Sequence, residues 1–205
     1  PRTAEAERKT VLLIRHGTSE GNVSSEDLPD PVLTGLGVRE AKAWQGRLGG
    51  YKVELVLVSP LRRTVQTACL AFASDDVPLL LCRHARELSL DLLENTIHSS
   101  PESMRALLGR LPGGERVQGI EAALSPAPDD PQDDDESIRR LRLVIAGRPE
   151  RVLAVVCHYN VILELCGADC DNGDLVRCTI GLDEGFLVEE HLRSPAAQWS
   201  WWCSC

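Results

Sequence analysis

The sequence predicts an α/β fold, a three-layer α/β/α sandwich around a mostly parallel central sheet. Three observations carry that prediction. Short continuous apolar runs such as "VLLI" and "VLAVVC" have the pattern of strands buried on both faces. Segments of helical periodicity alternate with those runs along the chain. The strand candidates also end in polar groups, as expected where a parallel sheet presents a ligand-binding edge.

Taken in order, residues 1–8 are polar and read as a loose lead-in to a strand at Val11–Ile14. Thr34 is placed to cap a helix through "TGLGVREAKAWQGRL", where Val38, Ala41 and Leu48 recur at helical spacing and Gly49–Gly50 end the run. "VELVLVS" reads as a second strand, and "PLRRTVQTACLAFA" as a helix with Pro60 at its first position. "VPLLLC" is a third strand, and a helix is expected from Ser100 to Leu111. "SIRRLRLVIAG" presents Ile138, Leu141 and Ile145 on one helical face, and Gly147 and Pro149 stop it. "RVLAVVCHYN" then gives a buried strand ending in a polar group, with "GFLVEE" and the tail "QWSWWCSC" as late strand candidates.

The 205 residues, 43% of them hydrophobic, are enough for one core, and a single domain over 1–205 is expected. The stretch at about 112–136, with its Gly, Pro and acidic cluster from Asp129 to Glu136, reads as a mobile insertion. A formal charge of −9 argues against a broad basic face for nucleic acid. No apolar run approaches the roughly 20 residues of a membrane span. The chain begins with Pro1 and its one methionine is Met104, so the start reads as processed or trimmed. The eight cysteines do not form a disulfide framework. Cys69, Cys82 and Cys157 sit in apolar stretches, and Cys166, Cys170, Cys178, Cys203 and Cys205 lack the paired spacing of a zinc site. Reduced thiols and a cytoplasmic location are the reading, with no metal and no cofactor expected.

The polar residues at the strand ends carry the chemistry. The first strand ends in Arg15–His16–Gly17, the second in Ser59 ahead of Arg62 and Arg63, and a later one in His158. Two imidazoles and guanidinium groups converging on one edge suit a phosphate. Arginine offers a planar fork that stays charged. A neutral imidazole carries a lone pair able to attack phosphorus. Gly17 would let the backbone and its N–H approach the anion, and the helix after His158 would add N-terminal amides.

"LIRHGTSEGN", "PVLTGLGVREA", "VSPLRRTVQTA" and "VVCHYN", in that order, resemble the histidine phosphatase superfamily, also called phosphoglycerate mutase-like. The resemblance covers Val11–Ala68 and Val152–Asn160 and is similar to a plant, fungal and algal phosphatase-like branch. It implies that His16 is the residue phosphorylated, and that Arg15, Arg63 and His158 hold the phosphoryl group. It implies a proton donor on the segment after the third strand, where "CRHARELSLDLLEN" offers Glu87, Asp91 and Glu94. Glu87 fits the register best, although Ala85 stands where the family often has Leu. Gly17, Ser19, Asn22, Arg62, Tyr159 and Asn160 are expected on the substrate side.

The implied reaction is hydrolysis of small phosphomonoesters through a phosphohistidine. Mutase-type transfer is disfavoured: the longer segment that closes over two phosphates has no counterpart, and Tyr159 replaces a common glycine. Arg62, Arg83, His84 and Arg86 could accept a second anionic group or simply pair in solvent. A non-catalytic phospho-ligand scaffold is the other alternative, although such members lose His16 or an arginine and this chain keeps both. A metal-dependent hydrolase would need ligands that these motifs do not offer. Oligomeric state is left open.

Overall fold

The computed structural model describes residues 8–89, 91–125, 133–181 and 185–196. A seven-stranded sheet runs through the chain in the order β4-β3-β2-β5-β1-β6-β7. Its members are β1 (Lys9–Arg15), β2 (Leu55–Val58), β3 (Leu79–Leu81), β4 (Val117–Gln118), β5 (Val152–Cys157), β6 (Leu175–Ile180) and β7 (Phe186–Leu192). β1 and β5 lie side by side in parallel, as do β2 and β5, β2 and β3, and β3 and β4. β6 runs antiparallel to β1, and β7 antiparallel to β6.

The helices are α1 (Glu20–Val23), α2 (Gly35–Lys42), α3 (Arg62–Ala71), α4 (Pro101–Leu108), α5 (Ile120–Leu124), α6 (Asp134–Gly147) and α7 (Tyr159–Cys166). Period-two alternation along β1 explains the three layers. Val11 and Leu13 pack with Ile138, Leu141 and Ile145 of α6 and with Val161, Ile162 and Leu165 of α7. Leu12 and Ile14 point the other way, onto Val65, Ala68 and Cys69 of α3 and Met104 of α4. Two apolar cores on opposite faces leave the strand ends as the place where polar groups meet. Among the described residues, no helix is long and apolar enough to cross a membrane.

Several expectations shift. Thr34 caps α2 by accepting from the Gly37 N–H, but the helix stops at Lys42 and turns carry the chain past Leu48. Pro60 is not the first helical residue: the amides of Thr64 and Val65 both donate to Leu61 O, so α3 begins at Arg62. Within the stretch at about 112–136, residues 112–125 and 133–136 are described. β4 pairs with β3, and Arg116 donates to the carbonyls of Phe72, Asp75 and Val77, which fixes this segment to the sheet edge.

The acidic run has a local task as well. Asp133 caps α6 by accepting from Glu136 N–H at 2.7 Å. Asp134, Asp135 and Glu136 occupy the first turn, where negative charge opposes the helix dipole favourably. Residues 126–132 and the tail "QWSWWCSC" from Gln198 lie outside the described residues.

Candidate active site

Strand pairing assembles the site before any side chain is considered. Arg15 is opposite Cys157 in the β1–β5 ladder, so the next residues, His16 and His158, emerge side by side. Their ring centroids lie 5.1 Å apart at an interplanar angle of 61°. His16 N–H donates to Cys157 O, and Ser59 N–H donates to Val156 O, which brings the end of β2 to the same edge.

The hydrogen bonds set the histidine tautomers. His16 Nδ1 is 2.8 Å from Gly17 O, which can only accept, so Nδ1 carries the hydrogen and Nε2 the lone pair. Arg63 Nε donates to that Nε2 at 3.3 Å. Burial, then the charges of Arg63 and Arg15, push the His16 imidazole well below its ordinary value and keep it neutral. His158 Nε2 lies 2.8 Å from Ser59 Oγ. Ser59 Oγ also accepts weakly from Leu61 N–H, and with the Ser59 hydroxyl donating to Nε2 the imidazole hydrogen lies on Nδ1. Burial, Arg63 and His16 push His158 well down too.

The arginines are held from behind. Arg63, 2% exposed, donates through Nη1 to Glu94 O and through Nη2 to Asn95 Oδ1 at 3.0 Å. Arg15 donates through Nη1 to Cys170 O at 2.8 Å and lies 5.1 Å from the centroid of the Tyr159 ring. Two buried atoms of this cluster, Arg15 Nε and His158 Nδ1, have no hydrogen-bond partner among the described residues. Buried polar groups are almost always paired, so two orphan donors beside one lone pair mark a place for an anion.

Glu87 completes the group. It is 8% exposed, and its carboxyl accepts from Leu88 N–H at 2.9 Å and from the Asn160 N–H at the start of α7. Burial raises its proton affinity above the ordinary carboxylate range and outweighs those amides, Arg63 and Arg15. Glu94 sits farther out: its carbonyl holds Arg63, while its carboxylate approaches Gly21. Asp91 is exposed. The arrangement therefore offers a neutral nucleophilic nitrogen, paired cations and one carboxyl whose proton affinity is raised.

Residues 11–166 match the histidine phosphatase superfamily (branch 1). The chain belongs to that superfamily. It is 27% identical over 215 aligned residues to the "Probable phosphoglycerate mutase GpmB" of Enterobacter sp. (strain 638), covering 91% of this chain and 96% of that protein. The protein of the same name from Proteus mirabilis (strain HI4320) is 32% identical over 119 residues. That match covers 52% of this chain and 55% of the Proteus protein.

Two solved structures share the fold. The mycobacterial glucosyl-3-phosphoglycerate phosphatase superposes with a TM-score of 0.61 at 19% identity, covering 91% of this chain and all of that one (100%). The phosphoglycerate mutase from Bacillus anthracis str. Sterne gives 0.60 at 18%, covering 96% and 98%. Phosphatases and mutases thus stand together among the proteins that share this fold.

The outer residues divide. Gly17 does not offer its amide to an anion, because that N–H donates to Thr67 Oγ1 at 3.1 Å. Its missing side chain serves packing instead: a Cβ on Gly17 would stand 2.5 Å from Gly37 O, and one on Gly37 would stand 2.1 Å from Thr18 O. The start of α2 is thereby pressed against the loop that carries His16.

Arg62 is tied to Asp30. Its amide donates to Asp30 Oδ1 at 2.8 Å and its Nε to Asp30 O at 2.7 Å. Ser19 and Asn22 brace each other, with Asn22 Oδ1 accepting from the Ser19 amide and hydroxyl. Tyr159 backs Arg15, and Asn160 supplies its amide to Glu87. Arg83 points to α5, donating to Ala122 O and Ser125 O.

Residues without a motif signal also build the candidate site. Asn95 orients Arg63, Thr67 holds Gly17, and Asn172 Nδ2 donates to His16 O at 3.2 Å. Gly173 N–H reaches the same carbonyl, and Asp174 O receives the Arg15 N–H. Among the described residues, no group of three or more His, Cys, Asp or Glu side chains is arranged to hold a metal ion.

Proposed function

We propose that this chain is a phosphatase that hydrolyses phosphomonoesters of small metabolites through a phosphohistidine on His16, acting in the cytoplasm. The observation that carries the reading is the pair of buried orphan donors, Arg15 Nε and His158 Nδ1, beside the His16 Nε2 lone pair. A phosphoryl group placed there gains both donors and the Arg63 guanidinium.

In the first step His16 Nε2 attacks phosphorus in line, and the bond from phosphorus to the ester oxygen breaks. Glu87 gives its proton to that departing oxygen, so an alcohol leaves rather than an alkoxide. In the second step water attacks the phosphohistidine. Glu87, now a carboxylate, takes the water's proton, and the nitrogen–phosphorus bond breaks to return neutral His16 and inorganic phosphate. The arginines spread over the equatorial oxygens in both steps. Every proton transfer uses a side chain of this protein.

A mutase reading is favoured by one observation, the name of the Enterobacter relative that aligns along nearly its whole length. In that case a second hydroxyl, not water, would receive the phosphoryl group. The deciding experiment is p-nitrophenyl phosphate hydrolysis in excess chelator, with His16→Ala alongside and with 3-phosphoglycerate as a separate substrate. Turnover that survives chelation, disappears in the variant and releases phosphate from metabolites supports the phosphatase. Interconversion of phosphoglycerates faster than phosphate release supports the mutase. A folded protein that turns over neither is a phospho-ligand scaffold.

A further inference from the structure

One cleft of about 500 Å³ lies outside the catalytic group, and none of Arg15, His16, Arg63, Glu87 or His158 lines it. Its polar lining is Asp30, Arg62, His98, Ser99, Ser103 and Arg110. Arg62 is the residue that the motif suggested and the catalytic centre does not use.

Its guanidinium is fixed in place before any ligand arrives. Nε donates to Asp30 O, the residue's own amide is held by Asp30 Oδ1, and neither Nη has a partner among the described residues. Arg110 has no ion pair or side-chain hydrogen bond among the described residues either. Asp30 is itself constrained: it is 1% exposed, has a φ of +42°, and accepts from Ser99 Oγ at 3.2 Å. A residue that is not glycine in the left-handed region persists only where its surroundings over-determine it. The charge balance of the lining, two arginines against one carboxylate already engaged by Arg62 and Ser99, leaves positive charge for a ligand.

We propose that this cleft is a second oxyanion site, taking the phosphate or carboxylate of an organic acid between the Nη groups of Arg62 and Arg110. Ser103 adds a hydroxyl, and Ala106 and Leu107 give an aliphatic wall that suits the carbon skeleton of such an acid. Because Arg62 is held in advance, little side-chain entropy is lost when the anion docks. Asp30 also lies close enough to Arg63 for their charges to interact, so the two sites share one electrostatic wall.

Backbone amide NMR of the full chain, titrated with inorganic phosphate, tests the site without needing turnover. The amides of Arg62, Ser99 and Ser103 are expected to shift with a midpoint of their own, separate from those of Gly17 and Tyr159. Arg110→Gln removes one charge-assisted partner and is expected to weaken the cleft midpoint by about tenfold, leaving the Gly17 midpoint in place. Cleft amides that stay still, or that move identically in Arg110→Gln, overturn the proposal.

Kinetics then separate the two sources of the oxyanion. If it is the far end of the substrate, Arg110→Gln raises KM for substrates with a second acidic group and leaves p-nitrophenyl phosphate unchanged. If it is a free effector, phosphate adds a non-competitive component to p-nitrophenyl phosphate hydrolysis, which Arg110→Gln removes. Should the chain hydrolyse nothing, the NMR result still decides the cleft.

Discussion

Asn95→Ala tests whether the Arg63 clamp is held by the loop that follows the acid. Asn95 is 3% exposed and links two parts of the site. Its Oδ1 accepts from Arg63 Nη2 at 3.0 Å, while its Nδ2 donates to Leu88 O at 2.7 Å and Ser89 O at 3.2 Å. A bond to a charged group contributes about 1.5–3 kcal/mol and a neutral one about 0.5–1.5, so the variant is expected to lose about 3 kcal/mol. For a chain of this size that lowers Tm by roughly 6–12 °C.

The catalytic effect is separable. Arg63 keeps its contacts to His16 Nε2 and Glu94 O but loses the third point that fixes its plane. A displacement of about 1 Å at such a group costs up to about 100-fold in rate, so kcat should fall about 10- to 100-fold with a smaller change in KM. Asn95→Asp restores an oxygen to Arg63 without the Nδ2 donors, and is expected to recover most of kcat but little of Tm. Steady-state kinetics with p-nitrophenyl phosphate and thermal melts measure both. If Asn95→Ala melts lower yet keeps kcat within about twofold, Asn95 is a packing residue and the clamp argument fails.

Glu87→Gln should cost about 10²- to 10⁴-fold on alkyl phosphates and less on p-nitrophenyl phosphate, whose leaving group needs no proton. Burial raises Glu87 and lowers His16, so the wild-type kcat/KM profile should have a basic limb above 4.5 from Glu87 and an acidic limb below 6.5 from His16. Only the basic limb should vanish in Glu87→Gln. The lowered histidines also predict acid sensitivity. The stability they contribute is full above the unfolded value near 6.5 and is lost as pH falls toward their folded values, by up to about 1.4 kcal/mol per pH unit for each. Denaturant melts at pH 7 and 5, compared between wild type and His158→Gln, should show the variant losing less. Gly37→Ala places a Cβ 2.1 Å from Thr18 O and should destabilise by at least roughly 1–3 kcal/mol in the same melts. Phosphate at 100 times its Kd should stabilise the wild type by about 2.7 kcal/mol through the orphan donors, and Arg63→Ala should abolish most of that gain.

The sheet centre was legible because its strands are buried on both faces. β1 and β5 read directly as apolar runs, and parallel pairing then aligns their ends, so His16 and His158 follow from register. β6 escaped the pattern. "LVRCTI" interleaves Arg177 and Thr179, which are only half-buried, with buried apolar positions, and it follows a polar turn. That polar turn, 171–174, is where Asn172 and Gly173 hold the His16 carbonyl. Gly17 was legible as a residue that needs space, but its occupant, the Gly37 backbone, comes from another element. Asn95 had no local signal, because its partners meet only in the folded chain.

The electrostatics of the centre explain why the same charges serve two purposes. Arg15 and Arg63 lower the proton affinity of His16, and Arg63 does the same to His158, so the site is held neutral at nitrogen and positive at its rim. Protonating either imidazole would add a third cation in a buried space. An oxyanion removes that conflict, because it satisfies the arginines and the orphan donors together. Glu87 lies close to the same cations yet keeps a raised proton affinity, because its burial outweighs them. The nucleophile must be unprotonated and the acid protonated at one pH. Burial alone pushes an imidazole down and a carboxyl up, so one dry pocket moves both groups in the direction the chemistry needs.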